Sequence, residues 1–132
     1  ILNNDFEEIC DSIIQGTLHK ITPNFKNEAT VCKYAVPKGY PTNPIKGARI
    51  FLGEVPKDTP YYCGSVEKDE EGMHMLGSRA IAFVGIAPTL KEAQVKAENA
   101  VSSTAGEIFH REDIGTEQLI QKRIDHMEKI RP

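Results

Sequence analysis

One apolar run constrains the fold of this chain more than any other stretch. Residues 81–86 read Ile-Ala-Phe-Val-Gly-Ile, which is the length of a strand and too short and rich in small residues for a self-standing helix. Just before it stands Gly77-Ser78-Arg79, a tight step that ends in one arginine. Arg79 is either a solvated residue at the edge of a sheet or part of an anion-binding site. The second reading is open because a planar guanidinium donates two parallel hydrogen bonds to a phosphate or carboxylate. The stretch alone leaves both readings open.

Size and charge indicate one soluble domain, or one lobe of a larger protein. The 132 residues include 16 Lys and Arg against 19 Asp and Glu, a formal net charge of −3. That balance provides no basic field for nucleic acid or an anionic membrane. No apolar run approaches the roughly 20 residues that a membrane helix needs. We therefore expect neither nucleic acid nor a membrane among the partners.

The residues that usually carry catalysis or bind metals form no pattern here. Three cysteines are an odd number without metal spacing, which favours reduced thiols in a cytoplasmic protein. Cys10, Cys32 and Cys63 lie in apolar segments, so we expect inert core thiols. The four histidines are scattered, and the acidic run 69–71 reads as an exposed turn, so we expect no metal site. Neither a nucleophile pattern nor a phosphate loop with its lysine is present, and we expect no catalytic residue.

The first segment reads as a helix that needs a partner. Asn4 is its expected cap, with Glu7 in capping-box position, and Gly16 is its expected stop. The apolar face between them predicts that this helix docks on another surface. Because the chain begins with Ile1 and no initiator Met, we expect it to be a piece of a longer polypeptide, although processing would give the same start.

Two further helices are predicted from caps and periodicity. Thr89 and Glu92 form a full capping box, so a second helix is expected from there to about Ser102. Its predicted buried side consists of Leu90, Ala93, Ala97, Ala100 and Val101. Thr116 is the expected cap of a last helix that ends at about Ile130. Its predicted apolar stripe consists of Leu119, Ile120, Ile124 and Met127.

Short strands fill most of the chain between the first two helices. Besides the opening run, the β-branched and aromatic segments predict strands at 31–36, 48–52, 61–66, 73–76 and 108–109. The loops between most of them are short, which favours antiparallel pairing. The sequence therefore predicts an α+β fold: a small, mostly antiparallel sheet or partial barrel flanked by about three helices.

Three loop cations lie close to glycines, where a backbone approaches an anion closely. They are Lys38, Arg79 and Arg111. Each is a weak signal by itself. Arg111 and Asp113 are close enough to pair with each other, so we expect a structural role for Arg111.

Six motifs, in the same order, resemble those of the phosphoribosylamine–glycine ligase (glycinamide ribonucleotide synthetase) family. They are Val31–Pro41 with its Lys-Gly-Tyr-Pro turn, Lys46-Gly47, Tyr62–Ser65, Gly77–Val84, Thr89–Ala93 and Arg111–Gly115. Tyr62 stands where the family usually has His, and Ser78 replaces one Gly of its Gly-Gly-Arg step. The first helix is similar to the segment that leads into the family's C-terminal domain, and the last helix extends beyond the match.

The resemblance implies the C-terminal domain of an ATP-grasp ligase of purine biosynthesis. Residues 1–20 would lead in from the central ATP-grasp domain, and residues 21–132 would form the C-terminal domain. Such enzymes use ATP with Mg²⁺ or Mn²⁺ to phosphorylate glycine, and the amine of phosphoribosylamine then attacks the glycyl phosphate. ATP and metal are bound mainly by the N-terminal and ATP-grasp domains, the implied partners. We therefore expect the 132-residue chain alone to be inactive.

The resemblance also implies which residues contact substrate. Related ATP-grasp purine enzymes use arginines of this domain on the substrate phosphate, which assigns that role to Arg79, with Gly77 and Ser78 in its turn. Lys38 is a second, weaker candidate. Two other functions remain open: a non-catalytic docking or oligomerisation lobe, and the equivalent lobe of another ATP-grasp ligase or carboxylase.

Overall fold

Two antiparallel four-stranded sheets and three helices make up the part of the chain that the computed structural model describes, residues 1–131. The helices are α1 (Phe6–Ile14), α2 (Leu90–Ser102) and α3 (Glu117–Ile130). The strands are β1 (Ala29–Pro37), β2 (Arg49–Phe51), β3 (Tyr61–Cys63), β4 (Val66–Asp69), β5 (Gly72–Met75), β6 (Ile81–Ala87), β7 (Ala105–Gly106) and β8 (Ile108–Phe109). The predicted α+β class is confirmed, with two small sheets in place of one.

The apolar run that dominates the sequence is β6, an inner strand of the first sheet. This sheet has the order β3-β6-β1-β8, and β6 pairs with β1 from Ala29 opposite Ala87 to Ala35 opposite Ile81. Five of the seven β6 residues are buried, on both faces of the strand. Burial on both faces explains why the run is continuously apolar, without the alternation of a half-exposed strand.

The second sheet shares its core with the first. Its order is β4-β5-β2-β7, and Ile50 and Met75 from it pack with Ile81, Phe83 and Val101. The core therefore joins both sheets to α2. The predicted single strand over residues 61–66 is wrong, because the chain leaves the first sheet after β3 and enters the second at β4.

Helix α2 packs across β1 and β6, as its alanine-rich side predicts. The capping box is confirmed: Glu92 N–H donates to the Thr89 hydroxyl at 3.2 Å, and Thr89 N–H donates to the Glu92 carboxylate at 3.1 Å. A Cβ on Gly85 would lie 1.9 Å from the carbonyl oxygen of Ala93, so only glycine permits this approach. Leu90 is 39% exposed, and its predicted burial is wrong, because it lines an open groove between α2 and the start of α3.

Helix α1 begins one residue later than predicted. The carboxylate of Asp5 accepts Glu7 N–H at 2.9 Å, whereas the Asn4 side chain accepts Asn24 N–H at 2.6 Å. Asn4 is therefore tied to the following loop, and Asp5 is the cap. No α1 residue is buried, and Phe6 and Ile14 are 68% and 83% exposed. Within residues 1–131, α1 thus meets no surface that covers its apolar face.

Helix α3 also leaves its apolar stripe open. Thr116 caps it as predicted, with its hydroxyl accepting Leu119 N–H at 3.4 Å. No residue of α3 is buried, and Ile124 and Met127 remain close to half exposed. Across residues 1–131, no helix combines the length and apolar character that a membrane crossing requires.

Candidate functional site

A cleft of about 430 Å³ lies against β1, beside Arg79, which comes just before β6. Strand alternation places Cys32, Tyr34 and Val36 on the opposite side of β1 from Val31, which packs against α2. The turn after β1, β8 and the loop that follows it complete the walls, with Tyr40, Pro41, Phe109, Arg111 and Ile114. We call this space the β1 cleft. Two arginines and part of Lys33 line it, and the rest of the lining is largely apolar and aromatic.

Arg79 is held at the cleft by an aromatic ring and not by an acidic side chain. Its guanidinium carbon lies 5.6 Å from the centroid of the Tyr34 ring. Its carbonyl oxygen accepts Ser65 N–H at 2.8 Å, which fixes its backbone. Among residues 1–131, no acidic side chain forms an ion pair with Arg79. Its N–H donors are therefore available to a ligand, in the planar arrangement that suits phosphate or carboxylate.

Arg111, the second arginine of the cleft, is paired as the sequence predicts. Its Nε and Nη2 donate to the two carboxylate oxygens of Asp113, at 2.9 and 2.6 Å. These hydrogen bonds, with the opposite charge, lower the pKa of Asp113 and raise the pKa of Arg111. Both groups therefore remain charged at neutral pH, and the guanidinium is oriented by a fork-to-fork contact.

A buried charged network lies behind the cleft, on the α2 side of β1. Lys33 is 2% exposed, and its Nζ donates to the Glu98 carboxylate and, at 2.8 Å, to the carbonyl of Glu112. The other Glu98 oxygen lies 2.8 Å from His110 Nε2 and accepts the Ser102 hydroxyl at 3.0 Å. Burial raises the pKa of Glu98, but hydrogen bonds from Lys33, His110 and Ser102 and the charge of Lys33 outweigh it and leave this pKa below its ordinary value.

This network was not predicted from the sequence, although the sequence contains one signal for it. Lys33 lies between Val31 and Ala35 at the spacing of a strand face, so alternation places its charge on the buried side. A buried charge needs a partner. Nothing in the local sequence identifies that partner as Glu98, which is 65 residues away.

Comparison with known proteins identifies the family. A family model described as "Phosphoribosylglycinamide synthetase, C domain" matches residues 30–117, which is most of the chain. The chain belongs to this family. The match includes both arginines of the β1 cleft and the whole of both sheets except the first residue of β1. The family resemblance predicted from the six ordered motifs is thus confirmed.

Its relatives carry the same family name. The phosphoribosylamine–glycine ligase of Methanocaldococcus jannaschii is 47% identical over 134 residues, covering 99% of this chain and 30% of that protein. That of Methanosarcina acetivorans is 44% identical over 131 residues, with the same two coverages. The chain thus spans 30% of the length of these curated relatives. A crystal structure of the Thermotoga maritima phosphoribosylamine–glycine ligase, 26% identical, aligns with a TM-score of 0.54 over 61% of this chain and 20% of that one.

Of the four substrate contacts predicted for this family member, Arg79 alone lines the β1 cleft. Lys38 lies outside the lining, with its Nζ 2.9 Å from the exposed carboxylate of Glu107. Gly77 has a φ of +97°, a conformation that favours glycine, and a Cβ there would lie 2.9 Å from Lys46 side-chain atoms. The N–H groups of Gly77, Ser78 and Arg79 donate to no protein acceptor within residues 1–131. Substrate binding by the four stays a prediction.

The predicted core position of the three thiols is wrong, whereas their inertness stays a prediction. Cys32 and Cys63 are exposed, and Cys10 is half-buried. Cys32 lies on the cleft wall, because strand alternation places it opposite Lys33. Partial burial raises the pKa of the Cys32 thiol, so it is protonated at neutral pH and a weak nucleophile.

Proposed function

We propose that this chain is the C-terminal lobe of a phosphoribosylamine–glycine ligase and holds the phosphate of phosphoribosylamine in the β1 cleft. Membership of the family and the ligase names of its relatives support the first part. The observation that carries the second part is Arg79, which lies in the cleft beside Tyr34 with no acidic partner among residues 1–131. Residues 1–20 lead in from the preceding domain, and residues 21–132 form the lobe.

The reaction of such a ligase joins glycine to phosphoribosylamine. ATP transfers its γ-phosphoryl group to the glycine carboxylate, giving glycyl phosphate and ADP. The amine nitrogen then bonds to the acyl carbon while the carbon–oxygen bond to phosphate breaks, and inorganic phosphate and the amine proton leave. Within residues 1–131 no group of three or more His, Cys, Asp or Glu could hold a metal ion. By the family resemblance, Mg²⁺ or Mn²⁺ and ATP would be bound by the N-terminal and ATP-grasp domains of the same polypeptide. This lobe would bind and orient the amine substrate.

The lining of the β1 cleft suits a phosphorylated sugar. A guanidinium offers planar, charge-assisted donors to a phosphate. The aromatic and apolar walls, with Tyr34, Val36 and Phe109, offer contact to the less polar faces of a ribose. The free N–H groups of Gly77 and Ser78, two residues and one residue before Arg79, are further donors. Lys38 is a weaker second cation, since it would have to leave Glu107 to reach the ligand.

Replacing Arg79 in the complete ligase tests the proposal. A charge-assisted phosphate contact is worth about 1.5–3 kcal/mol, so Arg79→Ala should raise the KM for phosphoribosylamine about tenfold to a hundredfold. The KM values for glycine and ATP should not change. Arg123→Ala, on exposed α3, is the matched control, because it removes a guanidinium that lies outside the cleft. An Arg79→Ala enzyme with the control's KM for phosphoribosylamine would refute the proposal.

The exposed apolar faces of α1 and α3 favour a second function, a docking or oligomerisation lobe. Phe6, Ile14, Ile124 and Met127 are all more than 40% exposed. If docking were the whole function, Arg79→Ala would leave every KM unchanged. Truncating Phe6 and Ile14 to Ala would instead weaken association between the lobe and the rest of the polypeptide, measured by sedimentation of the separately expressed parts.

A further inference from the structure

We propose that Arg111 is a second ligand of the substrate phosphate in the β1 cleft, positioned by Asp113 and by the buried network around Glu98. This inference rests on the proposed function and deepens it, because it adds a ligand that the predicted contacts do not include. The observation behind it is that Arg79, at the start of β6, and Arg111, after β8, line the same cleft. An anion in this cleft would be opposite in charge to both guanidinium groups.

The pairing of Arg111 with Asp113 leaves donors for a ligand. A guanidinium has five N–H groups, and the two bonds to Asp113 use one on Nε and one on Nη2. Both N–H groups of Nη1 and the second of Nη2 remain. The fork to Asp113 restricts the rotation of the guanidinium, so less conformational entropy is lost when an anion binds. The Arg111 side chain is 56% exposed, so a ligand can reach it.

The residues on both sides of Arg111 are anchored to the buried network, His110 through its side chain and Glu112 through its backbone carbonyl. His110 contacts Glu98 at 2.8 Å, and the carbonyl of Glu112 accepts the Lys33 ammonium at 2.8 Å. Lys33 and Glu98 also bond to each other. A loop residue is thereby fixed to β1 and α2, the rigid elements that carry the cleft. This is the arrangement expected of a binding residue, since loops are otherwise mobile.

The Asp113 carboxylate is not needed to begin α3, the obvious structural alternative. The turn before α3 is held by the Asp113 carbonyl oxygen, which accepts the Thr116 N–H at 3.1 Å and its hydroxyl at 2.8 Å. The Thr116 hydroxyl in turn accepts Leu119 N–H. Arg111 is the side-chain partner of the Asp113 carboxylate within residues 1–131. The carboxylate therefore serves to orient Arg111.

The test compares Arg111→Ala with Arg79→Ala and the control Arg123→Ala in the complete ligase. We expect Arg111→Ala to raise the KM for phosphoribosylamine about tenfold, with glycine and ATP KM values unchanged. Arg111→Lys should give a smaller rise, because lysine lacks the fork but keeps the positive charge. Asp113→Asn should raise the same KM a few-fold. Thermal melting of each variant separates loss of binding from loss of folding.

A double-mutant cycle tests the positioning role of Glu98. Glu98→Gln should raise the KM for phosphoribosylamine a few-fold when Arg111 is present and leave it unchanged in the Arg111→Ala background. Equal effects in both backgrounds would overturn the positioning role. If Arg79→Ala raises the KM but Arg111→Ala matches the control, the second ligand is refuted and the proposed function stands. If neither variant differs from the control, or the wild type shows no phosphoribosylamine-dependent turnover, both are refuted.

Discussion

The guanidinium carbon of Arg79 lies 5.6 Å from the centroid of the Tyr34 ring. This contact joins the start of β6 to the neighbouring strand β1, which carries Tyr34. The electron-rich ring face attracts the cation, which at an exposed site is worth about 0.5–1 kcal/mol. An acidic partner would accept hydrogen bonds from the N–H groups in the guanidinium plane. The ring holds the side chain and leaves these N–H groups free. Tyr34 therefore restrains Arg79 and leaves it free to bind an anion.

Removing the Tyr34 ring should weaken substrate binding through Arg79. For Tyr34→Leu we expect the KM for phosphoribosylamine to rise about two- to fivefold, which corresponds to the cation–π energy. Tyr34→Phe keeps the ring and should behave as the wild type. If the Leu and Phe variants have the same KM, the ring contributes nothing to the site.

Breaking the Lys33–Glu98 pair should destabilise the fold. In Glu98→Ala the ammonium of the buried Lys33 side chain keeps the Glu112 carbonyl but loses its counter-ion. Removing one partner of a buried pair costs about 3–5 kcal/mol, and the 26% exposure of Glu98 places the loss near the lower limit. Denaturant unfolding measures it. Replacing both partners, with Lys33→Met and Glu98→Leu, should recover most of the loss; a single variant within about 0.5 kcal/mol of wild type would contradict the account.

The stability that Glu98 provides should decrease as the pH falls into the acidic range. Its pKa in the folded chain lies below the ordinary value of 4.5, so the folded state favours the charged form. This contribution is complete above the unfolded-state pKa and is lost as the pH falls through the lower, folded-state pKa. The difference in unfolding free energy between wild type and Glu98→Gln should therefore be constant near neutral pH and shrink below about pH 4.5. A difference that grows on acidification would contradict this.

A methyl group on Gly85 should displace α2 from the sheet. The added Cβ would lie 1.9 Å from the Ala93 carbonyl oxygen and 2.8 Å from the Ala97 nitrogen, both backbone atoms. We expect Gly85→Ala to lower the unfolding free energy by about 3 kcal/mol or more, at the upper end of overpacking costs. Gly16→Ala is the control: its Cβ meets nothing within 4 Å, and its positive φ costs about 1 kcal/mol. Equal losses in the two variants would refute close contact at Gly85.

Elements with strong local signals were predicted from the sequence. The Thr89 capping box and the alanine spacing locate α2 and its buried side, because both depend on residues within a few turns. The β-branched run of β1 and the apolar run of β6 locate the central strand pair in the same way. Local signals failed where two adjacent residues both suit a helix cap, as Asn4 and Asp5 do. The hydrogen bond from Asn24 N–H to the Asn4 side chain leaves Asp5 as the cap.

The cleft could be predicted only in part, because contacts between distant segments form it. Arg79 was found from its place at the start of β6 and from the family resemblance. The sequence predicted the pairing of Arg111 with Asp113, but that Arg111 shares a cleft with Arg79 depends on how β8 pairs with β1. The partner of Lys33 on α2 and the exposed position of Cys32 likewise depend on which face of β1 meets the helix.

The most direct test of the central claim is a crystal structure of the complete ligase with its product, glycinamide ribonucleotide. The account predicts the product phosphate in the β1 cleft, with an oxygen about 2.7–2.9 Å from a guanidinium nitrogen of Arg79. A phosphate bound elsewhere, with the β1 cleft empty of ligand and Arg79 facing solvent, would contradict it.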